Sequence, residues 1–397
     1  MMVGLLWFLI FCDILYYFPM KKEIMEKRNL LNSLMIKDLS DSSDGVHAVN
    51  IVVDKVVNIL NSIDGWPEIE VRRSSPITTV LNNFDNLNFP LDNISRSSVY
   101  TRYVAEDIVL RTHSSAMIPS ILKEKSISGV DDFAVVCPGI CFRRDIVDKK
   151  HTGEPHQMDI WRIKRDVSNR IERKELRDAL YCIAEELFPD AKIKENETNH
   201  PYTKNGLEIE IMYKDNWLEI MECGEVSPII LEKYNFDKKE YSGLAMGFGL
   251  DRLVMILKGI DDIRVLRSKD PRIQKQMNNL EKYKNVSNMP PISYDISFSV
   301  DNDYVEEDVC EKIKNAFGEN IEILEEIQIL KEFSYNELPQ KAIERLGIKS
   351  HQKNILARMV LRSQEKTLTK EETNIIRDNV YRIVNESETD GYLKYKK

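Results

Sequence analysis

This chain predicts an α+β fold in two parts, and three patterns in it say so. Between residues 46 and 270, strand-like segments outnumber helical ones and meet at hairpin-like breaks, which favours one antiparallel sheet flanked by helices over regular βαβ crossovers. A polar stretch rich in Lys and Asn runs from Asp270 to the pair Pro290-Pro291 and reads as a linker, 271–291. Beyond it the order strand, helix, strand, strand, helix makes a second, smaller unit at 292–397. The length of 397 residues suits two or three domains.

Taken in order, Leu5 to Phe18 is strongly apolar but broken by Asp13. It is short for a membrane span and has neither the basic lead of a signal peptide nor the Arg-rich character of a transit peptide. Residues 1–19 are expected to come from an upstream start codon, with Met20 beginning the working protein; a membrane anchor is the alternative. Residues 20–45 form a polar lead-in. In 46–63, Val49, Val52, Val53, Val56, Ile59 and Leu60 make one helical stripe, stopped by Asp64-Gly65-Trp66-Pro67. Short segments follow at 68–73 and 83–90, then strands at 106–112 and 133–144. A long amphipathic helix is expected over 164–188, with Leu176, Leu180, Ile183, Ala184 and Leu187 on one side. Strands at 208–212 and 217–223 precede a glycine-rich strand and a helix over 250–257. The second unit has strands at 294–300, 321–330 and 353–363 and helices at 306–317 and 370–386.

The net charge of −9 argues against a nonspecific coat on nucleic acid but leaves room for one RNA on a local basic face. The six cysteines (Cys12, Cys137, Cys141, Cys182, Cys223, Cys310) include no CxxC pair, so no structural metal is expected. Scattered thiols suit a reducing compartment, and the cytoplasm is the expected location, with the mitochondrion as alternative.

Gly243-Leu244-Ala245-Met246-Gly247-Phe248-Gly249-Leu250-Asp251-Arg252-Leu253 is the most informative stretch, a small-residue strand running into an apolar helix with Arg252 in its first turn. Glycines at 243, 247 and 249 let backbone approach a flat ligand. A planar, permanently charged guanidinium beside that surface holds a phosphate or stacks on a base. His113, His151, His156 and His200 all lie in polar segments of this kind, although a lone histidine is more often structural. Leu110-Arg111-Thr112-His113-Ser114-Ser115-Ala116 puts hydroxyls, an imidazole and a guanidinium in one turn; capping of the next helix is its plainer reading. Alone, Arg143-Arg144 reads as a solvated charge pair, and Glu208, Glu210 and Glu219 as solvated strand faces.

Together these segments resemble the class II aminoacyl-tRNA synthetases. Gly243 to Leu253 resembles their third motif, part of the ATP site, and Asp261-Asp262-Ile263-Arg264 after it suits the phenylalanyl-tRNA synthetases. Phe142-Arg143-Arg144-Asp145, His151 and His156-Gln157-Met158-Asp159 resemble the second motif. Asn83-Phe84-Asp85-Asn86-Leu87-Asn88-Phe89-Pro90 matches the family's Asn-Phe-Asp-x-Leu-x-x-Pro, and His47-Ala48 resembles its opening His-Pro. The resemblance spans roughly 46–290 and resumes at 358–382, which looks like a ferredoxin-fold anticodon-binding domain. That fused order resembles the single-chain, mitochondrial type. The implied architecture is a class II antiparallel sheet flanked by helices at 46–270, followed by a C-terminal ferredoxin-like α+β domain.

The resemblance implies a ligase of protein biosynthesis that uses ATP and Mg²⁺ to form an aminoacyl-adenylate, from phenylalanine or a close analogue, and passes it to tRNA. Its expected partner is tRNA-Phe, with no DNA, and no membrane unless residues 1–19 are real. Such transfers rest on positioning and charge neutralisation. Arg143 is then expected on the α-phosphate, Arg252 at the γ-phosphate end, and His151 as a further neutraliser, with Gly247 and Gly249 bordering ATP. Glu208 and Glu219 would hold Mg²⁺. Ser115 would contact the substrate amino group with His113 beside it, and Gln157 and Asp159 would orient that group. His200, Tyr202 and Ala245 would line the side-chain pocket.

The chain also departs from the family. His200-Pro201-Tyr202-Thr203-Lys204-Asn205-Gly206 stands where the family has Phe-Pro-Phe-Thr-Glu-Pro-Ser. Glu222, Glu225 and Ser227 replace Gly, Met and His, and Asp251 replaces Glu. In the second unit, Tyr294-Asp295 replaces Arg-Asp, 334–352 looks like an insertion, and the charge is acidic on balance. ATP-handling positions are kept while side-chain recognition is altered. Two other readings therefore stand beside the first: an adenylating ligase for another amino acid or acceptor, and a non-catalytic tRNA-binding paralogue. Intact Arg143, Gln157 and Arg252 disfavour the paralogue.

Overall fold

The computed structural model describes residues 22–144, 148–286, 289–363 and 365–389. The apolar segment 1–19, and Asp145 in the second motif, lie outside the described residues. Among the described residues, no helix is long and apolar enough to cross a membrane.

A seven-stranded sheet carries the first domain. Its strands are β1 (Ile69–Val71), β5 (Asp132–Ile140), β6 (His156–Arg165), β7 (Ile193–Thr198), β8 (Thr203–Tyr213), β9 (Asn216–Val226) and β10 (Tyr241–Gly249). The spatial order is β1-β5-β6-β10-β9-β8-β7, parallel only at β1–β5 and antiparallel elsewhere. A three-stranded sheet beside it joins β2 (Ile77–Thr79), β3 (Tyr103–Ala105) and β4 (Ile108–Leu110).

Side-chain alternation along β6 and β10 separates core from cavity. Met158, Ile160, Leu244, Met246 and Phe248 enter a core shared with helices α1 (Ala48–Asn61), α3 (Arg173–Leu187) and α4 (Leu250–Lys258). The opposite face is closed at one edge by helix α2 (Ile118–Ser128), in a cluster containing Phe133, Trp161 and Ala245. What is left of that face is open.

The helical stripe of 46–63 forms as expected, capped by His47, whose Nδ1 accepts from Val49 N at 3.2 Å. Ala48 stands where the family has Pro, and its extra N–H donates to Met277 O at 2.6 Å, so nothing is left unsatisfied. The expected helix over 164–188 needs correction. Residues 156–165 belong to the central strand β6, and the helix begins only at Arg173. Asp166 breaks the two apart by accepting from the backbone N–H groups of Ser168 and Asn169, a turn that competes with helix. The strand expected at 133–144 stops at Ile140; residues 141 and 143 bond instead to the carbonyls of Pro155 and Gly153.

The second unit has strands β11 (Ile292–Asp301), β12 (Leu324–Ser334) and β13 (Gln352–Leu361), in the order β11-β13-β12, with helices α5 (Glu306–Phe317) and α6 (Lys370–Val384) packed on one face. The segment 334–352 holds a short helix, Gln340–Leu346. At 271–291 the chain starts as a helix, Pro271–Gln276, with Ile273 and Met277 buried in the first domain's core.

The acidic character of the second unit acquires a structural use. Asp308 of α5 accepts from Arg144 at 3.2 Å. Lys314 and Arg102 both pair with the largely buried Glu154, at 3.1 and 2.8 Å. Burial would raise the Glu154 carboxyl, but the two cations hold it below the usual carboxylate range. Glu325, almost fully buried, takes Arg264 at 3.1 Å and Lys149 at 2.8 Å from the first domain.

Candidate active site

The open sheet face carries a cavity of about 610 Å³, lined by strands β6, β9 and β10, the loops after β4 and β5, and Glu307 of α5. Arg143, His151, Gly247, Gly249, Arg252 and Glu219 line it, as do His113, Ser115, Gln157, Asp159, His200 and Tyr202. Sequence reasoning thus brought twelve separated positions to one place. Ala245 and Glu208 are not among the lining residues.

Arg143 is fixed by main chain. Its Nε donates to Thr112 O at 2.7 Å, and its own N–H donates to Gly153 O at 2.8 Å. No carboxylate pairs with it among the described residues, which leaves the guanidinium's charge facing the cavity. The expected solvated pair Arg143-Arg144 is split: Arg144 bridges to Asp308 and Glu23. Arg252, in the first turn of α4, donates to Glu219 O at 2.9 Å and lies 3.4 Å from the Glu219 carboxylate. His151 is held at 2.8 Å by Asp148 Oδ2. Burial raises the Glu219 carboxyl, partly offset by Arg252 and reinforced by Glu222 and Glu208. Glu208 opposes Glu222 across β8–β9 and accepts from Asn196 at 3.1 Å. Glu210 is tied to Lys194 at 2.7 Å, the surface pairing its plainer reading required.

Beneath this end lies a buried pair that supports it. His156 is fully buried, with Nδ1 2.7 Å from Asp251 Oδ1, while its N–H donates to Asp251 Oδ2. This pins the start of β6 to the first turn of α4, whose Arg252 is the next residue. His156 is thus a structural histidine.

At the other end, side chains hold one another. Asp159 is buried and accepts from Ser114 Oγ at 2.8 Å and Trp161 Nε1 at 3.3 Å. Burial raises its carboxyl above the ordinary range. Ser115 Oγ lies 3.4 Å from Tyr202 OH. The Tyr202 ring stacks between Trp161 and His200, with centroids at 5.6 and 5.7 Å, and burial pushes its hydroxyl pKa upward. Tyr202 packs on the apolar cluster that contains Ala245, so Ala245, expected at the pocket floor, is covered and 2% exposed. His113 stacks on Phe89 at 5.4 Å and binds Asn83 O at 2.9 Å; burial, aided by Arg143, pushes it down to about 3, so it stays neutral.

The sequence departures turn out to be contact pairs. His200 Nε2 meets Glu222 Oε2 at 2.7 Å. Lys204 meets Glu225 at 3.0 Å. His200, Lys204 and Asn205 have each gained a partner on β9, and the Tyr202 hydroxyl meets Ser115 instead.

Three residues escaped sequence reasoning: Ser114, which orients Asp159; Asn83, which bonds Thr112 N and Oγ1 as well as His113; and Arg111. Arg111 is buried, and its guanidinium crosses Gly139 so closely that a Cβ there would lie 2.0 Å from Nη2. Gly243 also needs correction. It does not line the cavity; a Cβ there would meet Ile163 at 2.4 Å, so it serves strand packing rather than ligand approach. Gly247 does serve the cavity, where nothing comes nearer than 3.7 Å to that Cβ position.

An antiparallel sheet with two arginines at the rim of its open face, one on a loop and one on the helix after a glycine strand, defines the catalytic core of a class II aminoacyl-tRNA synthetase. Residues 34–277 match the family described as tRNA synthetases class II core domain (F), and residues 287–389 match the ferredoxin-fold anticodon binding domain. The chain belongs to that class II family and is a ligase. It is 32% identical to the chloroplastic/mitochondrial phenylalanine–tRNA ligase of Arabidopsis thaliana, over 77% of this chain and 68% of the relative. It is 27% identical to the probable mitochondrial phenylalanine–tRNA ligase of Drosophila melanogaster, over 84% of this chain and 82% of the relative. Against the phenylalanine–tRNA ligase alpha subunit of Acaryochloris marina, identity is 31%, over 58% of this chain and 66% of the relative.

Proposed function

We propose that the chain is a phenylalanine–tRNA ligase that joins amino acid and tRNA within a single polypeptide. The observation that carries this reading is one cavity lined both by Arg143 and Arg252 and by Ser115, Gln157 and Asp159. The substrate carboxylate attacks the α-phosphorus of ATP; the bond to pyrophosphate breaks and an aminoacyl-adenylate forms. The terminal ribose hydroxyl of tRNA then attacks the acyl carbon and AMP leaves. Arg143 neutralises the α-phosphate and Arg252 the γ-phosphate end, with His151 adding a donor. Both arginines are held by main-chain carbonyls, so neither must reorganise as charge develops. Gly247 and Gly249 leave room for the nucleotide.

Mg²⁺ would be held by Glu219 on the cavity wall, with Glu208 outside the lining as a nearby carboxylate that repels that of Glu219. It takes one or two carboxylates and completes its shell with phosphate oxygens. When bound, it neutralises phosphate charge. The ferredoxin-fold unit is assigned to tRNA-Phe recognition. The organellar names of relatives from two kingdoms favour an organelle over the cytoplasm for this protein; a diffuse cytosolic signal from the tagged full chain would contradict that.

The test is aminoacylation of a tRNA-Phe transcript by the full chain with labelled phenylalanine. Acid-precipitable label is expected. Its absence, with another amino acid charged instead, would overturn the reading and establish a respecialised ligase.

A further inference from the structure

We propose that Glu222 is a second carboxylate for the ammonium group of the amino-acid substrate, facing Asp159 across Gly247 and held in place by His200. The inference rests on the ligase reading above and names a residue that the family pattern does not supply, since Gly stands there in typical members.

The geometry comes from the strand register. Gly247 on β10 lies between Asp159 on β6 and Glu222 on β9, paired directly with both. Neighbours paired across antiparallel strands project to the same face. The missing side chain of Gly247 therefore leaves a gap flanked by two carboxylates: its Cβ position is 3.9 Å from Asp159 Oδ1 and 3.9 Å from Glu222 Oε1. A third acceptor borders the cavity, because Gln157 Oε1 is buried and has no hydrogen-bond partner among the described residues. An ammonium group carries three donors and no acceptor. Three acceptors on the two strands that flank β10 match it in number and in charge.

The orientation of Glu222 is fixed from outside the gap. His200 occupies Oε2 at 2.7 Å, which leaves Oε1 towards Gly247. Asp159 is one methylene shorter than the Glu found in the family, and Glu222 restores acceptor reach from the opposite strand. Burial holds the Asp159 carboxyl high, with Glu222 adding to the effect, and a bound cation relieves that repulsion.

The experiment is ATP–pyrophosphate exchange by the full chain and its Glu222→Gln variant, with whichever amino acid the wild type activates. The KM for the amino acid is expected to rise roughly 10- to 100-fold, the loss of one charge-assisted hydrogen bond, while the KM for ATP stays within about twofold. Two inhibitors, when phenylalanine is that amino acid, separate contact from general damage. Phenylalaninol keeps the ammonium and lacks the carboxylate; 3-phenylpropanoate keeps the carboxylate and lacks the ammonium. Only phenylalaninol should weaken in the variant. An unchanged KM, or equal weakening of both inhibitors, overturns the inference while leaving the ligase reading intact. A wild-type chain that activates no amino acid removes both.

Discussion

Around Arg143 and Arg252 the cavity's side chains are anchored to main-chain carbonyls, whereas around Asp159 and Glu222 they are anchored to one another. Arg143 leans on Thr112 O, and Arg252 on Glu219 O. At the other end, Ser114 holds Asp159, Ser115 meets Tyr202, and His200 holds Glu222. A carbonyl is present whatever residue bears it, so the first end tolerates change in its neighbours. Side-chain partners must change together, and here they have: the polar residues at 200 and 204 are matched by acids at 222 and 225. The difference explains how a pocket can be rewritten beside an unaltered nucleotide site.

The largest expected effect breaks the comparison at its rigid end. Arg143→Ala should lower the rate of ATP–pyrophosphate exchange by about 10²- to 10³-fold, the usual loss for one preorganised charge-stabilising donor. The protein should remain folded, since Arg143 has no carboxylate to leave unpaired among the described residues. Unchanged exchange would remove Arg143 from the chemistry.

The next prediction sharpens the paired end. His200→Phe and Glu222→Gly should each cost more alone than their product allows together, with a coupling of about 1–2 kcal/mol in kcat/KM for the amino acid. Additive losses in the double-mutant cycle would mean that the 2.7 Å contact is incidental.

A pH series tests the same pair. The bond to Glu222 raises the pKa of His200 above that of an ordinary imidazole. A raised folded-state value means the pair's contribution is fully present below that reference and is lost as pH rises through the folded value. The melting-temperature advantage of wild type over His200→Asn should therefore shrink as pH climbs above roughly 6.5. A gap that widens or stays flat would show that the pair is not ionic.

The smallest effect belongs to Lys204. It is half exposed and paired with Glu225 at 3.0 Å. Lys204→Met should change stability by less than about 1 kcal/mol and leave the amino-acid KM unaltered.

Legibility in the sequence follows the same division. Arg143, Arg252 and Gly247 could be found one at a time, because each acts through its own side chain, or lack of one, on a fixed backbone. The pairings of His200 with Glu222 and Lys204 with Glu225 could not, because the partners lie about twenty residues apart on different strands and the register that joins them is not local. The departures were visible; their mutual compensation was not. The bond of Ser114 to Asp159 was not legible, because Asp159 lies 45 residues away on another element and residue type does not mark which hydroxyl of the turn reaches it. The strand 156–165 was hidden behind its motif: His156-Gln157-Met158-Asp159 reads as chemistry, yet alternates as a strand. The second unit was legible because its elements are long and amphipathic. Its docking through Asp308, Lys314 and Glu325 was not, since charged residues have no marked partner until the fold supplies one.

The most direct measurement of the central claim, an intact adenylation end beside a repaired amino-acid end, is ATP–pyrophosphate exchange by the full chain against all twenty amino acids. The account predicts exchange with phenylalanine, lowered about 10²- to 10³-fold by Arg143→Ala and weakened through KM alone by Glu222→Gln. A folded chain that is silent with every amino acid would contradict it.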